Sequence, residues 1–431
     1  MEFEVDLKLK VSIEDLETNV NEIVRAVKEV MRDTGREVLK EVLEVYQLRI
    51  RDVLLNGSLL FPHGECAGDK GFNGRGWRER TLKTEVGDIR LSLSRVECKG
   101  CGCVISPFLD VIGVVPWQRI QDGLKERLLE LLTDLPYRRV EKQSFDFTDV
   151  FVSKTQLNRW VLEDDWSGIV FDVNIEEIKE VFADGTKIKR QDGTKGDLRL
   201  LIGKTTTYGK VVPIGVWIDK GWDEIGKELK ETYGEEDFKG KVLLSDGEQG
   251  IEGHLLFKDM EHQRCIWHGG RDLGYTLWKD GLDKEARDTL TGDFKKVITI
   301  NTEDRRDIEV RLTESKEALN GLTGSLKERG LESSASYVEN LSSSIFTYVR
   351  LLLEKGEVIS RTTGPIERSI REIGRRIKKV GGSWTDKGAL NLIKLLWKRV
   401  FEGDELKRFW RECFGLNGNC QITLVNVSCT I

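Results

Sequence analysis

The sequence predicts an α/β fold: a central sheet flanked by helices, interrupted by an all-helical insertion and preceded by smaller helical and β modules. Three observations predict it. Apolar runs of strand length end in an acid, as in Val181-Phe182-Ala183 before Asp184 and Val242-Leu243-Leu244-Ser245 before Asp246. Residues 270–360 carry helical periodicity and no strand run. The first quarter of the chain changes from a long amphipathic pattern to glycines, alternation and four clustered cysteines.

Composition narrows the class. At 431 residues there is material for two to four domains. With 33% charged and 39% apolar residues the chain reads as globular, not fibrous or disordered. No stretch approaches the roughly 20 apolar residues of a membrane span, and acids occupy Met1–Asp6 where a secretory leader would be basic. The expected location is therefore cytoplasmic, beside the nucleoid. Eight cysteines, one pair as Cys-x-x-Cys, fit a metal site in a reducing compartment better than a disulfide framework. The net charge of −6 excludes a uniformly basic DNA coat but not locally clustered DNA contacts.

Six segments follow from the pattern. In residues 1–60, Ile13, Leu16, Val20, Ile23, Val27, Val30 and Met31 recur at helical spacing behind the N-cap candidate Ser12, predicting an amphipathic helix or oligomerisation arm. In 61–115, alternation over Ile89–Val96 predicts a strand running into Cys98-Lys99-Gly100-Cys101. His63 and Cys66 upstream complete two close ligand pairs, the usual way of offering four N/S donors to tetrahedral zinc. The reading is a zinc ribbon, with Cys103 as a substitute ligand; its alternative is a metal-free hairpin with buried thiols.

Residues 116–175 read as helices, one of them faced with Leu124, Leu128, Leu129, Leu131 and Leu132. Ser153 and Gln156 form a capping box. The helix behind it exposes Lys154, Gln156, Asn158 and Arg159, side chains that contact bases or phosphates. A helix-turn-helix-like DNA reader and a plain helical connector both fit. Residues 176–270 alternate strands and helices: strand to Asp184, strands at 198–202 and 211–218 joined as a hairpin through Thr205–Gly209, a helix over Trp222–Glu235, then a strand to Asp246. Gly203-Lys204-Thr205 looks like the end of a P-loop, but Leu198 stands where the first glycine belongs and the setting is a hairpin, so no nucleotide cofactor is expected. Residues 271–360 form the helical insertion. In 361–431 a helix runs from Glu367 through Lys379, breaks at Gly381-Gly382 and resumes over Lys387–Phe401, and Cys420–Ile431 reads as a strand.

Asp184, Asp246 and Glu367 are the candidate catalytic residues. Taken singly, Asp-Gly after a strand is an ordinary turn, and an acid behind Gly364-Pro365 suits a helix N-terminus. Taken together, two strand-borne Asp residues and a longer Glu from a neighbouring helix suit Mg²⁺ or Mn²⁺, which take oxygen ligands. Paired ions would clamp the attacking and leaving oxygens of an in-line phosphoryl displacement. Cys265 and His268 follow Asp246 as Cys-x-x-His with no second pair nearby; the plainer reading is a buried Cys and a hydrogen-bonded His on the next strand. The helix after Glu367 carries Arg368, Arg371, Arg375, Arg376, Lys378 and Lys379, a basic run suited to phosphates.

The block Thr362-Thr363-x-x-Ile366-Glu367-Arg368-x-x-Arg371-Glu372-x-x-Arg375-Arg376 resembles the region of the catalytic Glu in Mutator-type transposases and their bacterial and archaeal insertion-sequence relatives. Ala183-Asp184-Gly185-Thr186, Ser245-Asp246-Gly247 and Gln263-Arg264-Cys265-x-x-His268 match that family in order. Arg80-Thr81-x-Lys83-Thr84-x-x-Gly87-x-Ile89 and Arg95-Val96-x-Cys98-x-x-Cys101-Gly102 are similar to the zinc-ribbon segment of one insertion-sequence branch. The resemblance covers most of residues 75–400. It departs at His63-Gly64-Glu65-Cys66, where that branch tends to have Cys-x-x-Cys, and at Gly364-Pro365, where Asn is common at the first position.

The resemblance implies an RNase H-like core with Asp184, Asp246 and Glu367 as metal ligands. Cys265 and His268 would support the site, and the helical insertion would contact DNA. It implies hydrolysis at transposon 3′ ends and strand transfer into double-stranded target DNA, by a chain acting at least as a homodimer. The alternatives are an RNase H-type nuclease without strand transfer and a catalytically silent DNA-binding derivative.

Overall fold

The computed structural model describes residues 20–163, 173–206, 209–301, 307–380, 382–401, 403–404 and 407–408. The expected cap at Ser12, the positions Ile13 and Leu16, hairpin residues Thr207 and Tyr208, Gly381 and the strand at Cys420–Ile431 lie outside them. The described residues fall into two compact units, divided between 164 and 165, the second ending at 403. Among the described residues no helix is long and apolar enough to cross a membrane.

The first unit opens with helix α1 (Val20–Leu55). Its C-terminal part packs by Leu39, Leu43, Ile50 and Leu54 on a three-stranded antiparallel sheet of β1 (Phe72–Thr84), β2 (Gly87–Cys98) and β3 (Val104–Ile105). β2 alternates as expected: Ile89, Leu91 and Leu93 are buried and form the contact with the helix. The Gln47 side chain, 2% exposed, fastens the two layers by donating to the Ser92 carbonyl and accepting from the Ser94 amide. The short helix α2 (Pro107–Val111) closes the sheet.

Helices α3 (Asp122–Leu132), α4 (Tyr137–Thr148) and α5 (Lys154–Glu163) then pack together. Of the expected leucine face, Leu124, Leu128, Leu129 and Leu132 are buried, while Leu131 is half-buried. The α4–α5 connection is tight because Asp149 takes a left-handed conformation (φ 55°) and Ser144 Oγ donates to the Val150 carbonyl. Ser153 Oγ accepts from the Gln156 amide at 3.2 Å, the cap the sequence indicated.

The second unit is built on a five-stranded mixed sheet in the order β6-β5-β4-β7-β8. The strands are β4 (Ile178–Lys189), β5 (Lys195–Thr205), β6 (Val211–Ile218), β7 (Val242–Ser245) and β8 (Glu261–Arg264). The first three form an antiparallel meander; β7 and β8 run parallel to β4. Gly203-Lys204-Thr205 lies at the end of β5, with no phosphate loop: Gly203 leaves room for Ile178, and Lys204 pairs with Glu180. Helices α6 (Trp222–Tyr233) and α7 (Gln249–Leu255) are the crossovers into and out of β7. They bury Trp222, Ile225, Leu229, Ile251 and Leu255 against Val181, Ala183 and Leu243.

That core fixes which way the acids point. Side chains alternate along a strand, so residues of the other parity, Phe182 and Asp184 on β4 and Leu244 on β7, turn to the opposite face. There α13 (Gly364–Gly374) packs on β4 and β5, and α14 (Asp386–Phe401) on β6. Between the sheet and α13 the described residues hold helices and no strand, as the sequence indicated: α8 (Ile266–Lys279), α9 (Lys284–Ile298), α10 (Ile308–Glu328), α11 (Glu332–Ser342) and α12 (Thr347–Lys355). The last of these returns to pack on β8.

Two local expectations are corrected. His268 is not on a strand: Cys265 caps α8 and His268 lies in its first turn, because β8 ends at Arg264. The helix after Glu367 does not stay regular to Lys379: α13 ends at Gly374 and Arg375–Lys379 form a π turn. The extra residue per turn turns the basic run out of line with its beginning.

Candidate functional site

In the register of the parallel pair, Phe182 stands opposite Leu244. Asp184 lies two residues farther along β4, and Asp246 follows directly after the last residue of β7, Ser245, so both acids come at the same end of the parallel pair. Asp184 is still paired within β4, opposite Leu200 of β5. Its Oδ1 accepts from the Gly185 amide at 2.7 Å, and Asp246 Oδ1 accepts from the Glu248 amide at 3.0 Å. Gly247 makes the turn after Asp246 at φ 100°, with the Arg264 guanidinium standing where a Cβ would be. The Asp-Gly pair thus has a packing reason besides its turn preference.

Glu367 enters from the first turn of α13, behind Pro365. Its position depends on Thr363, which is fully buried. Thr363 Oγ1 lies 2.8 Å from Glu367 Oε1, 3.2 Å from His268 Nδ1 and 3.3 Å from Cys265 Sγ, and the Thr363 amide donates to the same sulfur at 3.4 Å. His268 Nδ1 is 3.8 Å from Glu367 Oε1. Cys265, His268 and Glu367 thereby form one group whose donor atoms lie within 4.8 Å. Among the described residues the three acids do not form a group that tight.

Charge nonetheless links them. Burial first, then the charges of Asp246 and Glu367, push the Asp184 carboxyl up to about 6, against the Gly185 amide and His268, which favour its ionised form. Burial would lower the His268 imidazole, but the Cys265 thiolate and the Asp246 charge outweigh it and raise the pKa. Burial likewise opposes ionisation of Cys265, and hydrogen bonds from His268 and Thr363 outweigh that and hold it below the ordinary thiol range.

The segment leading into α13 is held from below. Glu180, 3% exposed, accepts from Lys204 Nζ at 3.0 Å and from the Ser360 amide at 2.9 Å, and Lys204 Nζ also reaches Ser360 Oγ at 2.9 Å. A charged strand residue on the same face as Asp184 thus anchors the approach to Glu367. Sequence reading missed Glu180 and the hub role of Thr363. The available clue was a Glu inside an apolar strand, which must find a partner when buried.

The basic run divides. Arg368, Arg371, Arg375, Lys378 and Lys379 are exposed, with Arg375 paired to Glu372 at 3.2 Å and Lys378 Nζ hydrogen-bonded to Thr186 Oγ1 of β4. Arg376 departs from the expected DNA contact. It is 1% exposed, with its guanidinium 5.0 Å from the Trp384 ring. The π turn is what sends it inward. Arg376→Ala is expected to cost about 2–4 kcal/mol of stability and to leave DNA affinity unchanged. Thermal melts and a binding titration below the melting range check both halves.

In the first unit the four expected ligands meet. His63, Cys66, Cys98 and Cys101 bring their donor atoms within 4.8 Å of one another. His63 Nε2 is 3.2 Å from Cys101 Sγ, and Cys66 Sγ is 3.8 Å from Cys98 Sγ. A tetrahedral zinc with bonds of about 2.3 Å sets its sulfurs about 3.8 Å apart, so the quartet fits the ion. His63 Nδ1 contacts the Phe61 carbonyl at 2.9 Å, which leaves Nε2 as the free donor when Nδ1 carries the proton. The Gly100 amide donates to Cys98 Sγ at 3.3 Å, and a Cβ at Gly100 would stand 3.5 Å from that sulfur. Cys103 is exposed and outside the group. Lys154 and Arg159 are exposed on α5.

No protein-family model matches the chain, and no curated protein sequence matches it. Among solved structures it is similar to a Drosophila P element transposase strand transfer complex, with a TM-score of 0.40 and 9% identity over 68% of this chain and 94% of that one.

Proposed function

We propose that the chain is a DNA transposase of an insertion sequence, with Asp184, Asp246 and Glu367 as ligands of a two-metal Mg²⁺ or Mn²⁺ site. One observation carries the reading. Asp184 within β4 and Asp246 just past the end of the adjacent parallel strand β7 fall on the sheet face where a helix brings Glu367, and the charges of Asp246 and Glu367 both act on Asp184. The antiparallel meander followed by two parallel strands is consistent with the RNase H-like core that the resemblance implies and supports the reading. The motif resemblance to Mutator-type transposases falls on these same residues. The helical stretch between β8 and α13 is then the insertion of that family, and the six segments named from the sequence are its proposed domains.

Bound divalent ions would supply Lewis-acid activation of water and of the 3′-OH. The chain's own groups do the holding. Asp184 and Asp246 fix two oxygens on the rigid sheet, and Glu367 closes the site from α13. Thr363 and His268 orient Glu367, while Cys265 orients both by hydrogen bonds. Hydrolysis at a transposon 3′ end would be followed by attack of that hydroxyl on target DNA. Synapsis of two ends calls for at least a homodimer. Like-charged, partly buried carboxylates held together are poorly suited to a purely structural role, which favours an active enzyme over a silent DNA-binding derivative.

The test uses the purified full chain, Mg²⁺ or Mn²⁺, and duplexes taken from the DNA flanking the gene. Nicking at a defined 3′ end followed by joined products supports the reading. Nicks that never become joined products mean a nuclease, and binding without nicks means a silent derivative. Replacing Arg368, Arg371, Arg375 and Lys379 by Ala should weaken binding to all sequences alike and flatten the salt dependence by about 0.9 per lost phosphate contact. A loss confined to one sequence would contradict a phosphate-contact role.

A further inference from the structure

Helix α8 carries three large aromatic side chains in solvent: Trp267 (55% exposed), Tyr275 (65%) and Trp278 (56%). With Arg271 they stand at i, i+4, i+8 and i+11, within an arc of about 80° at 3.6 residues per turn. The other side of the helix is fully committed. Leu273 and Leu277 are buried, Gly269 abuts Leu341 of α11, and Gly270 abuts Lys295 of α9. The aromatic stripe is therefore not a misplaced core face, and three adjoining exposed rings mark a binding surface.

The stripe begins at the acid site. The Trp267 ring meets the His268 ring edge-on, centroids 4.8 Å apart, and His268 Nδ1 is 3.8 Å from Glu367. Arg271 lies 5.2 Å from the Trp267 centroid, paired with Asp272 and within reach of the Asp246 charge. Tyr275 and Trp278 follow, ring centroids 5.6 Å apart and inclined by 36°. At 1.5 Å per residue the stripe extends about 16 Å from Trp267 to Trp278, the length of several stacked bases at about 3.4 Å each.

Its place selects an occupant. Trp, Tyr and Arg serve protein interfaces as well as nucleic acids, but this stripe starts at the His268 ring, 3.8 Å from Glu367. Flat rings interleaved with a guanidinium are what unpaired bases stack on, with the cation meeting the phosphates. A phosphodiester lying at the acids would continue directly onto Trp267. We propose that this face of α8 is a stacking platform for unpaired DNA, taking the bases of a strand frayed or displaced beside the cleaved bond. The inference rests on the nucleic-acid reading of the acid site and adds to it a residue-level contact for single strands.

The test measures affinity of the full-length chain for fluorescein-labelled dT20, and for a duplex of equal length, without added Mg²⁺ or Mn²⁺. Trp278→Ala should weaken dT20 binding roughly tenfold while duplex affinity stays within twofold, and Trp278→Phe should restore most of it. Trp267→Ala should act in the same direction; Trp278, a helix length away from His268, separates stacking from disturbance of the acids. Unchanged dT20 affinity in the Trp267→Ala/Trp278→Ala double variant overturns the platform. So does an equal loss for duplex and single strand, or a change in oligomeric mass with dT20 affinity intact, which would mark the stripe as an interface between copies. If the wild type nicks DNA and Trp278→Ala binds dT20 normally, the platform falls and the acid-site reading stands. If the wild type never nicks but Trp278→Ala loses dT20, the platform stands and the acid-site reading falls.

Discussion

Asp184→Asn is expected to lower metal-dependent DNA cleavage by at least about 10³-fold, the several kcal/mol of transition-state stabilisation that a properly held ion supplies. Asp246→Asn and Glu367→Gln should lose as much. The same change at Asp184 should stabilise the metal-free protein, by on the order of 2 kcal/mol, because the carboxylate is held against its burial and against Asp246 and Glu367. Its folded pKa, about 6, lies above its ordinary 3.8. Such a group favours the folded state fully below the lower value and loses that contribution as the pH rises through the higher one. Metal-free wild type should therefore lose stability between about pH 4 and 6, and the Asn variant should lose less over that window. Adding Mg²⁺ at pH 7.5 should raise the melting temperature of the wild type and leave the variant's unchanged. Below about pH 6 protons compete with the ion at Asp184, so cleavage should fall. Differential scanning fluorimetry across pH, with and without Mg²⁺, reads the stability half and a plasmid-nicking assay the other. A variant that still cleaves removes Asp184 from the site. One that melts lower than wild type without metal removes the strain argument.

The second large effect concerns the ribbon quartet. The purified chain should hold one zinc per molecule, and Cys98→Ser should abolish it. Metal binding at such a site is folding free energy, about 10 kcal/mol in small zinc modules. Cys98 is also 1% exposed and packs in the same core as Phe72 and Leu91. Loss of the ion should therefore unfold the three-stranded sheet and expose the α1 face that covers it. Since that variant could be insoluble, Cys101→Ser, at an exposed ligand, gives a second measure: less zinc and faster proteolysis between residues 61 and 115. Cys103→Ser should change neither. Metal analysis of the wild type decides the alternative directly, because a zinc-free chain whose melting ignores chelators would be a plain hairpin with thiols.

Much of this was legible in the chain. β4 and β7 are legible because an apolar run of strand length has few other ways to bury itself; Asp246 does follow the end of β7, whereas β4 continues past Asp184 to Lys189. α13 is legible from Pro365 and the acid of its first turn. The His63, Cys66, Cys98 and Cys101 group is legible because Cys98 and Cys101 share one turn and His63 and Cys66 another, so local spacing already dictates two close pairs.

The remainder depends on groups far apart in sequence. Glu180 is explained by Lys204 and Ser360, and Thr363 by Cys265 and His268; no local pattern connects them. Arg376 reads as one more base in a basic helix until the π turn rotates it onto Trp384. The aromatic stripe of α8 is visible as helical spacing, but such a stripe is ordinarily core. Only the glycines on the other face, packed against α9 and α11, show that it looks outward. The sequence by itself determined the elements, the candidate acids and the ligand pairs, because hydrophobic period, turn chemistry and capping act over a few residues. Tertiary structure alone decided which acids share a face, which base is buried and what orients Glu367. Those outcomes are set by strand register and by the burial of polar groups, which are properties of partners brought together only in the folded chain.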